Sequence, residues 1–243
     1  MQNASFPILM YHSINSVPKA TVMRSLHIPR KRFLLQMMLL KLFGYRGVSL
    51  SELHLQMLRG ENRKLVGLTF DDGYKNNTTN ALPILIKLGF TATIYIVSNN
   101  VGKSNTWDIE KGMSEYPMMN EDEIKHWIDS GMEIGSHTQN HKDLVKCNNK
   151  DLIKEIKQSK IDLEKKFNTS INHFCYPYGR FNDEIIKITK NSGYITGTST
   201  QRGRSSLKDN LYTLPRVQIT HHTLPHLFLL KILSNYEDRR KHK

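Results

Sequence analysis

Short apolar runs alternate with longer amphipathic stretches along the whole chain, and this alternation restricts the fold more than any other feature of the sequence. The runs with the length and composition of buried strands are 8–11, 47–50, 66–70, 91–97, 133–136, 173–176, 195–198 and 216–219. Strands that alternate with helices are typical of parallel sheets. About seven such units in 243 residues therefore predict a single α/β domain whose sheet closes into a barrel.

The stretches between these runs have apolar residues at helical spacing. They are 30–43, 79–88, 120–130, 151–167 and 183–192. The third of them begins at Asn120, which is followed by acidic residues, and it stops before Gly131. An asparagine cap, acids in the first turn and a glycine behind the last turn are typical of a helix with defined ends.

The composition and charge exclude several classes of protein. Hydrophobic residues make up 38% of the chain, as in ordinary globular proteins, and no stretch approaches the roughly 20 apolar residues that span a bilayer. The net charge is +13, but the lysines are dispersed, except in a basic tail predicted for 236–243 behind a catalytic domain at 1–235. Because basic and aromatic residues are not interleaved, no nucleic-acid partner is predicted. The charge indicates a solvated surface, or contact with an anionic membrane or a phosphate-bearing substrate.

The N-terminus and the cysteines bear on the compartment. The first ten residues lack the basic head and apolar run of a secretory signal. This predicts a cytoplasmic protein, with peripheral contact at the inner face of the membrane as the alternative. Cys147 and Cys175 are too few for a disulfide framework, and both are predicted to be reduced thiols without a role.

Two adjacent carboxylates, Asp71 and Asp72, follow the run 66–70 and precede a glycine. A surface turn with exposed aspartates would have the same pattern. Adjacent residues point to opposite faces of a strand, but both can reach one cleft where the strand runs into a turn. Neighbouring carboxylates raise each other's pKa, and a bound divalent cation would offset that effect.

Two histidines four residues apart, His137 and His141, follow the run 133–136. Two exposed histidines in a loop are the alternative interpretation. If the chain turns helical here, both imidazoles lie on one face and can converge on one ion. Both motifs stand at the C-terminal ends of predicted strands, where barrels carry their chemistry. Together with Asp72 they would form a three-ligand site with a position left open for water, as in catalytic metal sites.

Two further segments complete the pattern, and together the four resemble a known family. A Tyr-Pro-Tyr-Gly turn occupies 176–179, and His12 ends the first predicted strand. Residues 69–73 (Thr-Phe-Asp-Asp-Gly) and 137–141 (His-Thr-Gln-Asn-His) are similar to the first two motifs of the polysaccharide deacetylases, the NodB-homology family or carbohydrate esterase family four. Residues 176–179 are similar to the core of its third motif. The resemblance implies a single distorted (β/α)7-type barrel.

The sequence departs from the commoner family members in two places. Cys175 occupies the position of an arginine that helps to set the catalytic aspartate, and the late Leu-His motif has no clear counterpart. The early Met-Tyr-His-Ser at 10–13 instead resembles the circularly rearranged branch, which includes poly-N-acetylglucosamine deacetylases of biofilm matrices. In that branch an N-terminal histidine replaces the late one, so the resemblance assigns the general acid to His12. By similar reasoning Arg216, in a Leu-Pro-Arg-Val segment, is predicted to support Asp71, although a structural role at a strand entry is the alternative.

The resemblance implies a hydrolase that removes the acetyl group from an N-acetylated sugar. The predicted ligands of one divalent metal are Asp72, His137 and His141. Zinc is the first choice by ligand type, with Co²⁺ or Ni²⁺ as alternatives. Asp71 would take a proton from water, the backbone N–H of Tyr178 would bind the oxyanion, and His12 would protonate the departing amine.

The substrate is less constrained by the sequence. A sugar of a cell-surface polysaccharide is predicted, and the missing signal favours its lipid- or nucleotide-linked precursor. Trp107 is predicted either to stack on a sugar or to lie in the core, Tyr74 and Tyr178 to form cleft walls, and 226–233 to be a packing helix rather than a membrane-docking one. A hydrolase of another amide, such as a cyclic amide or formamide, and a non-catalytic carbohydrate-binding protein are the alternative functions.

Overall fold

The strands of the protein form one sheet in which all strand ladders are parallel. The structure is a computed structural model, and it describes residues 5–60, 64–109 and 111–241. The strands are β1 (Ile8–Tyr11), β2 (Arg46–Val48), β3 (Leu65–Phe70), β4 (Thr93–Ile96), β5 (Glu133–Ser136), β6 (His173–Cys175), β7 (Thr196–Arg202) and β8 (Leu214–Gln218). Every run predicted as a strand therefore overlaps one of these strands.

Strand β1 closes the sheet into a barrel, because it pairs with β8 on one edge and with β3 on the other. The closed ring follows the order β1-β8-β7-β6-β5-β4-β3 and returns to β1, so that it contains seven strands. Strand β2 lies outside the ring. It pairs with β3 up to Gly67, and β4 takes over the same edge of β3 from Thr69 onward. The predicted distorted (β/α)7-type barrel is confirmed.

A bulge between β7 and β8 adds to the distortion. Thr198 pairs with Leu214 and Arg202 with Arg216, so the ladder advances four residues on β7 while it advances two on β8. Bulges of this kind re-aim individual side chains. Here the extra residues are on β7, and Arg216, whose side chain is buried, lies opposite them on β8.

Helices connect the strands. They are α1 (Arg30–Leu42), α2 (Leu50–Leu58), α3 (Leu82–Leu88), α4 (Thr106–Ile109), α5 (Glu121–Asp129), α6 (Asn149–Ile153), α7 (Ser159–Phe167), α8 (Asp183–Asn191) and α9 (Pro225–Leu233). Wider π-helical turns occupy Asn77–Ala81, before α3, and Lys154–Gln158, between α6 and α7. The predicted cap of α5 is confirmed: Asn120 and Glu123 each accept the other's backbone N–H at 2.9 Å.

The prediction of a strand over 47–50 was wrong at its end. Strand β2 stops at Val48, and Ser49 instead caps α2 by accepting the backbone N–H of Glu52 at 3.4 Å. A serine followed three residues later by a glutamate is a capping pattern. It overrides the apolar character of Leu50, which begins the helix.

The core lies on both sides of the strands. All residues of β1, β3 and β4 are buried, as expected for strands that face the barrel interior on one side and helices on the other. Helix α9 is a packing helix, as predicted, since Phe228 and Ile232 are buried. In the described part of the chain, none of the helices combines the length and apolarity needed to cross a membrane.

The C-terminal segment, described to residue 241, contacts the barrel through ion pairs. The fully buried carboxylate of Glu237 accepts hydrogen bonds from Arg202 and from Lys231, at 2.9 and 2.5 Å. Asp238 accepts from Arg204 at 2.7 Å. Charges paired in this way fix the segment against the end of β7 and against α9.

Candidate metal and catalytic centre

The carboxyl ends of the strands surround a cleft of about 190 Å³. Six of the residues singled out in the sequence line it: His12, Asp71, Asp72, His137, His141 and Tyr178. They follow β1, β3, β5 and β6, which is the strand end where barrels of this class carry their chemistry. The seventh, Arg216, is buried directly beside Asp71.

A left-handed turn separates the two adjacent carboxylates. Asp71 still continues the barrel ladder, since its N–H donates to the carbonyl of Tyr11 at 2.9 Å. Asp72 and Gly73 then adopt φ angles of 73° and 81°. A non-glycine residue in this region costs about 1–2 kcal/mol, and such strain concentrates at functional sites. The turn sends the Asp71 side chain toward Arg216 and the Asp72 side chain toward the two histidines.

Arg216 holds Asp71 by both carboxylate oxygens. Its Nη1 donates to Oδ1 at 2.6 Å and its Nη2 to Oδ2 at 2.7 Å, and both residues are buried. Burial alone would raise the pKa of Asp71, but the charge and hydrogen bonds of the Arg216 guanidinium hold that pKa below its ordinary value. Such a two-pronged arrangement requires the planar fork of an arginine.

The remaining donors of Arg216 are also engaged. Nε donates to the carbonyl of Ser199 at 2.9 Å, Nη1 to Thr69 Oγ1 at 3.1 Å and Nη2 to Cys175 Sγ at 3.3 Å. The guanidinium is therefore fixed independently of Asp71. Both cysteines are free thiols, as predicted, and the sulfur of Cys175 contacts the arginine that holds Asp71.

His12 stands on the other side of Asp71. Its Nε2 lies 3.9 Å from Asp71 Oδ2, and its side chain is 16% exposed. The pairing of Tyr11 with Phe70 between β1 and β3 places the two residues next to each other although 59 positions separate them in the chain. An imidazole at this distance does not hydrogen-bond the carboxylate, but its protonated form is attracted by it.

The second aspartate lies against both histidines of the predicted metal site. Asp72 Oδ1 is 3.3 Å from the Nε2 atoms of His137 and of His141. Burial alone would raise the pKa of Asp72, but the two imidazoles hold it well below its ordinary value. One ligand atom from each of the three residues lies within 4.8 Å of the others.

The hydrogen bonding of His137 tests whether a cation fits this centre. Its Nδ1 donates to the carbonyl of Cys175 at 2.7 Å. Nε2 then faces the Asp72 carboxylate and needs either a proton of its own or a cation between the two atoms. A backbone carbonyl on the outer nitrogen is also what typically orients a metal-binding histidine. The donor set, one carboxylate and two imidazoles, therefore fits a divalent metal.

His141 reaches the same point without a helical turn, so the expected helical geometry was wrong. Residues 138–140 form a turn in which Thr138 and His141 have φ angles of 66° and 56°. Thr138 Oγ1 accepts the backbone N–H of His141 at 2.9 Å. The left-handed positions fold the loop back on itself, which a helix of the same length would not do.

A second group of potential ligands, Asp71, His137 and Cys175, also lies within 4.8 Å. Here the guanidinium of Arg216 already occupies both Asp71 oxygens and contacts the sulfur. Because a second cation would be repelled by the arginine, this group does not suit a metal. Only the group around Asp72 does among the described residues.

Tyr178 forms a wall of the cleft, as predicted, in a turn that only a glycine can follow. Its own φ is 59° and that of Gly179 is 68°. A Cβ added to Gly179 would lie 2.0 Å from Thr200 Oγ1. The Tyr178 hydroxyl is 3.2 Å from His141 Nδ1 and accepts a hydrogen bond from Lys111 at 2.7 Å.

Trp107 and Tyr74, the other two aromatic residues predicted near the substrate, differ in their position. Trp107 stacks on the imidazole of His141, with ring centroids 4.6 Å apart. It is half-buried rather than a core residue and one face covers a candidate metal ligand, so that stacking of the ring on a sugar stays a prediction. Tyr74 is fully buried, and its prediction as a cleft wall was wrong. It follows the left-handed turn of Asp72 and Gly73, which directs the chain back into the protein.

Two residues that support the centre were not found from the sequence. Asn77, in the first π-helical turn, donates to the carbonyl of His12 at 2.7 Å. Glu155, in the second, accepts the backbone N–H of Asn140 at 2.8 Å, next to His141. Such wide turns are frequent at functional sites. The contacts join residues 65 and 15 positions apart, which no local periodicity reveals.

Comparison with known proteins agrees with this geometry. A family model described as polysaccharide deacetylase matches residues 59–197. The chain is 32% identical over 219 residues to YxkH of Bacillus subtilis strain 168, whose name assigns it to the polysaccharide deacetylases, with 89% of this chain and 72% of that protein covered. The solved structure of the Streptococcus pyogenes deacetylase PplD in complex with acetate has a TM-score of 0.82 and 28% identity, and covers 95% of this chain and 99% of that one.

A further relative is the poly-beta-1,6-N-acetyl-D-glucosamine N-deacetylase of Staphylococcus aureus strain MSSA476. It is 29% identical over 174 residues, which are 68% of this chain. The match spans 58% of the length of that enzyme.

The fold and the site define a hydrolase with a candidate metal centre on a (β/α)7 barrel. The chain belongs to the polysaccharide deacetylase family. This confirms the predicted class of enzyme, a carbohydrate N-deacetylase, and the resemblance from which it was predicted.

Proposed function

We propose that this protein hydrolyses the acetamide of N-acetylglucosamine residues in a polysaccharide, with a β-1,6-linked polymer as the first candidate. The polymer is suggested by the S. aureus relative, whose name states that substrate. The observation that carries the proposal is the shared cleft. It brings together an anionic carboxylate fixed by Arg216, an imidazole beside it and a separate group of ligands for a cation.

The residues proposed to hold the metal are Asp72, His137 and His141. One carboxylate and two neutral imidazoles suit Zn²⁺, with Co²⁺ and Ni²⁺ as alternatives. When bound, the metal would polarise the acetyl carbonyl and lower the pKa of a coordinated water.

Asp71 would accept the proton of the attacking water. Both of its oxygens are held by Arg216, so its orientation is fixed before the substrate arrives. The lowered pKa of Asp71 keeps it ionised at neutral pH but makes it a weak base, which suffices only for an unusually acidic water. Arg216 is thus proposed to position Asp71 rather than to touch the substrate.

His12 and Tyr178 would act on the two groups of the substrate that develop negative charge, the departing amine and the carbonyl oxygen. The imidazolium of His12, attracted by Asp71 at 3.9 Å, would donate a proton to the departing amine, which would otherwise leave as an anion. The backbone N–H of Tyr178 would stabilise the oxyanion. Its turn is fixed by Gly179 and by Thr200, whose hydroxyl donates to the Tyr178 carbonyl at 3.4 Å.

The proposal is tested by acetate release from β-1,6- and β-1,4-linked N-acetylglucosamine oligomers, before and after treatment with EDTA and after addition of Zn²⁺. Release that EDTA abolishes and Zn²⁺ restores is the expected result. Release that survives EDTA unchanged would remove the metal from the mechanism. Absence of acetate together with formate release from formamides would favour the hydrolase of another amide.

A further inference from the structure

A second groove, of about 460 Å³, adjoins the catalytic cleft. It shares two wall residues with the cleft, His141 and Tyr178. Four cationic side chains line the groove: Lys111, Lys142, Lys146 and Arg180. They come from the loops that carry the site residues, since Lys142 follows His141 and Arg180 lies two positions after Tyr178. We call this surface the basic groove.

The cations of the basic groove are exposed, whereas the carboxylates near them are covered. The side chains of Lys142, Lys146 and Arg180 are 49%, 76% and 58% exposed. Asp143 and Glu155 are 14% and 2% exposed. Arg180 donates to Asp143 at 2.7 Å, whereas Lys142 Nζ and Lys146 Nζ lie 3.8 Å from oxygens of Glu155 and Asp143, too far for a hydrogen bond. A ligand that enters the groove therefore meets positive charge.

The fourth cation links the basic groove to the candidate metal centre. Lys111 Nζ donates to the Tyr178 hydroxyl at 2.7 Å and to Asp108 Oδ1 at 2.9 Å. The same hydroxyl lies 3.2 Å from His141 Nδ1. An anion bound in the groove would thus lie against His141, a proposed metal ligand, and against Tyr178, the two wall residues that the groove shares with the cleft.

We propose that the basic groove binds an anionic group, a phosphate or a carboxylate, that the polysaccharide carries next to the sugar being deacetylated. This inference rests on the proposed function and narrows its substrate class. A neutral polymer has no charge for these lysines to contact, whereas exposed Lys and Arg side chains select phosphate and carboxylate groups. The volume of the groove is within the range of sites that bind small molecules or single units of a polymer.

The test compares three substrates of equal length in acetate release by the metal-loaded protein. They are a neutral β-1,6-linked N-acetylglucosamine tetramer, the same tetramer with a phosphate ester on the penultimate sugar, and a hyaluronan tetrasaccharide, which carries carboxylates. We expect the KM of at least one anionic substrate to be about tenfold below that of the neutral one, and to rise with NaCl between 50 and 500 mM because screening weakens the contact. The substrate with the lower KM identifies the anion.

The variant Lys142→Glu/Lys146→Glu removes this advantage if the inference is correct. We expect it to raise the KM of the anionic substrate about tenfold and to leave kcat and the KM of the neutral tetramer within about twofold. The matched control is Lys31→Glu/Lys208→Glu, which makes the same charge change at two exposed residues outside the groove. It should change neither constant.

Two outcomes would overturn the inference. One is equal KM values for neutral and anionic substrates in the unmodified protein. The other is a charge-reversed variant whose KM for the anionic substrate stays equal to that of the unmodified protein. Either result leaves the deacetylase itself intact, whereas failure of the proposed function would appear as no acetate release from any of the three.

Discussion

Histidines and carboxylates meet at both ends of the barrel, but the two clusters differ in how their polar atoms are satisfied. At the amino ends of the strands the cluster consists of Ser51, Thr93, Glu133, His173 and Thr196. His173 Nδ1 contacts Thr196 Oγ1 at 2.7 Å and its Nε2 contacts Ser51 Oγ at 2.9 Å. Glu133 accepts hydrogen bonds from Ser51 and Thr93. Each of these groups has a partner supplied by the protein.

At the carboxyl ends the corresponding groups instead converge on a single carboxylate oxygen, in an arrangement that one cation could occupy. Two imidazole Nε2 atoms face one oxygen of Asp72 at 3.3 Å, and one of these imidazoles already uses its Nδ1 on a carbonyl. The backbone differs as well, because Asp72 and His141 are left-handed whereas Glu133 and His173 begin regular strands. The same residue types therefore form a structural plug, the cluster around Glu133 and His173, at one end of the barrel and a candidate metal site at the other.

Of the variants that distinguish the carboxyl end of the barrel from its amino end, Asp72→Ala is expected to have the largest effect on activity. This variant should lose the bound metal, and turnover should fall more than about 10³-fold because the ion supplies several kcal/mol of transition-state stabilisation. Elemental analysis and acetate release measure the two quantities.

The matched variant at the other end is Glu133→Ala. It should keep one metal per chain and near-normal turnover at low temperature, and should lower the free energy of unfolding instead. Stoichiometric metal in Asp72→Ala would remove Asp72 from the ligand set, and loss of metal in Glu133→Ala would contradict the division of the barrel into two functional ends.

His12→Ala separates loss of the general acid from loss of the metal, since His12 lies at the catalytic end but is not a proposed metal ligand. We expect kcat to fall about 10²–10³-fold, the usual contribution of a general acid, while metal content stays at one per chain. The fall in kcat should be smaller for a substrate whose leaving amine is less basic, because such an amine needs less help from a proton donor. Full turnover in this variant would refute the assignment of the acid to His12.

Arg216→Met tests the role of the ion pair between Arg216 and Asp71 at the catalytic end of the barrel. Removal of the guanidinium leaves Asp71 buried and unpaired, which should lower the free energy of unfolding by about 3–5 kcal/mol. Misplacement of Asp71 should reduce kcat about 10²-fold. Chemical denaturation and acetate release at a temperature below the transition measure the two effects.

The double variant Asp71→Asn/Arg216→Met separates these two roles of Arg216. It removes the unpaired charge, so most of the stability should return while activity stays low. If the single variant were as stable as the unmodified protein, the ion pair would contribute orientation alone.

The sequence predicts the regular parts of this protein well, and its irregular parts poorly, for a physical reason. Alternation of apolar runs is a local property, so the strands and the barrel are visible in it. The candidate ligands were found because Asp72 and His137 follow apolar runs. The left-handed turn of His141 and the supports from Asn77 and Glu155 depend on contacts across the barrel, which are not encoded in spacing. Arg216 was found only through the resemblance to a family, since 145 positions separate it from Asp71 in the chain.

The smallest predicted effect concerns acid stability and the plug at the amino ends of the strands. Burial alone would raise the pKa of Glu133, but the charge of His173 and hydrogen bonds from His173, Ser51 and Thr93 lower it from 4.5 to about 2. A carboxylate with a lowered pKa stabilises the fold above its unfolded-state pKa, and this contribution is lost as the pH falls through the range from about 4.5 to about 2. Glu133→Gln cannot titrate, so its free energy of unfolding should vary less over that range than that of the unmodified protein, by about 1–3 kcal/mol. Urea denaturation at pH 6 and pH 3 measures the difference, with Asp122→Asn, an exposed carboxylate, as the control. Equal acid dependence of the unmodified protein and Glu133→Gln would mean that the plug does not depend on the charge of Glu133, and that only the catalytic end of the barrel relies on ionised carboxylates.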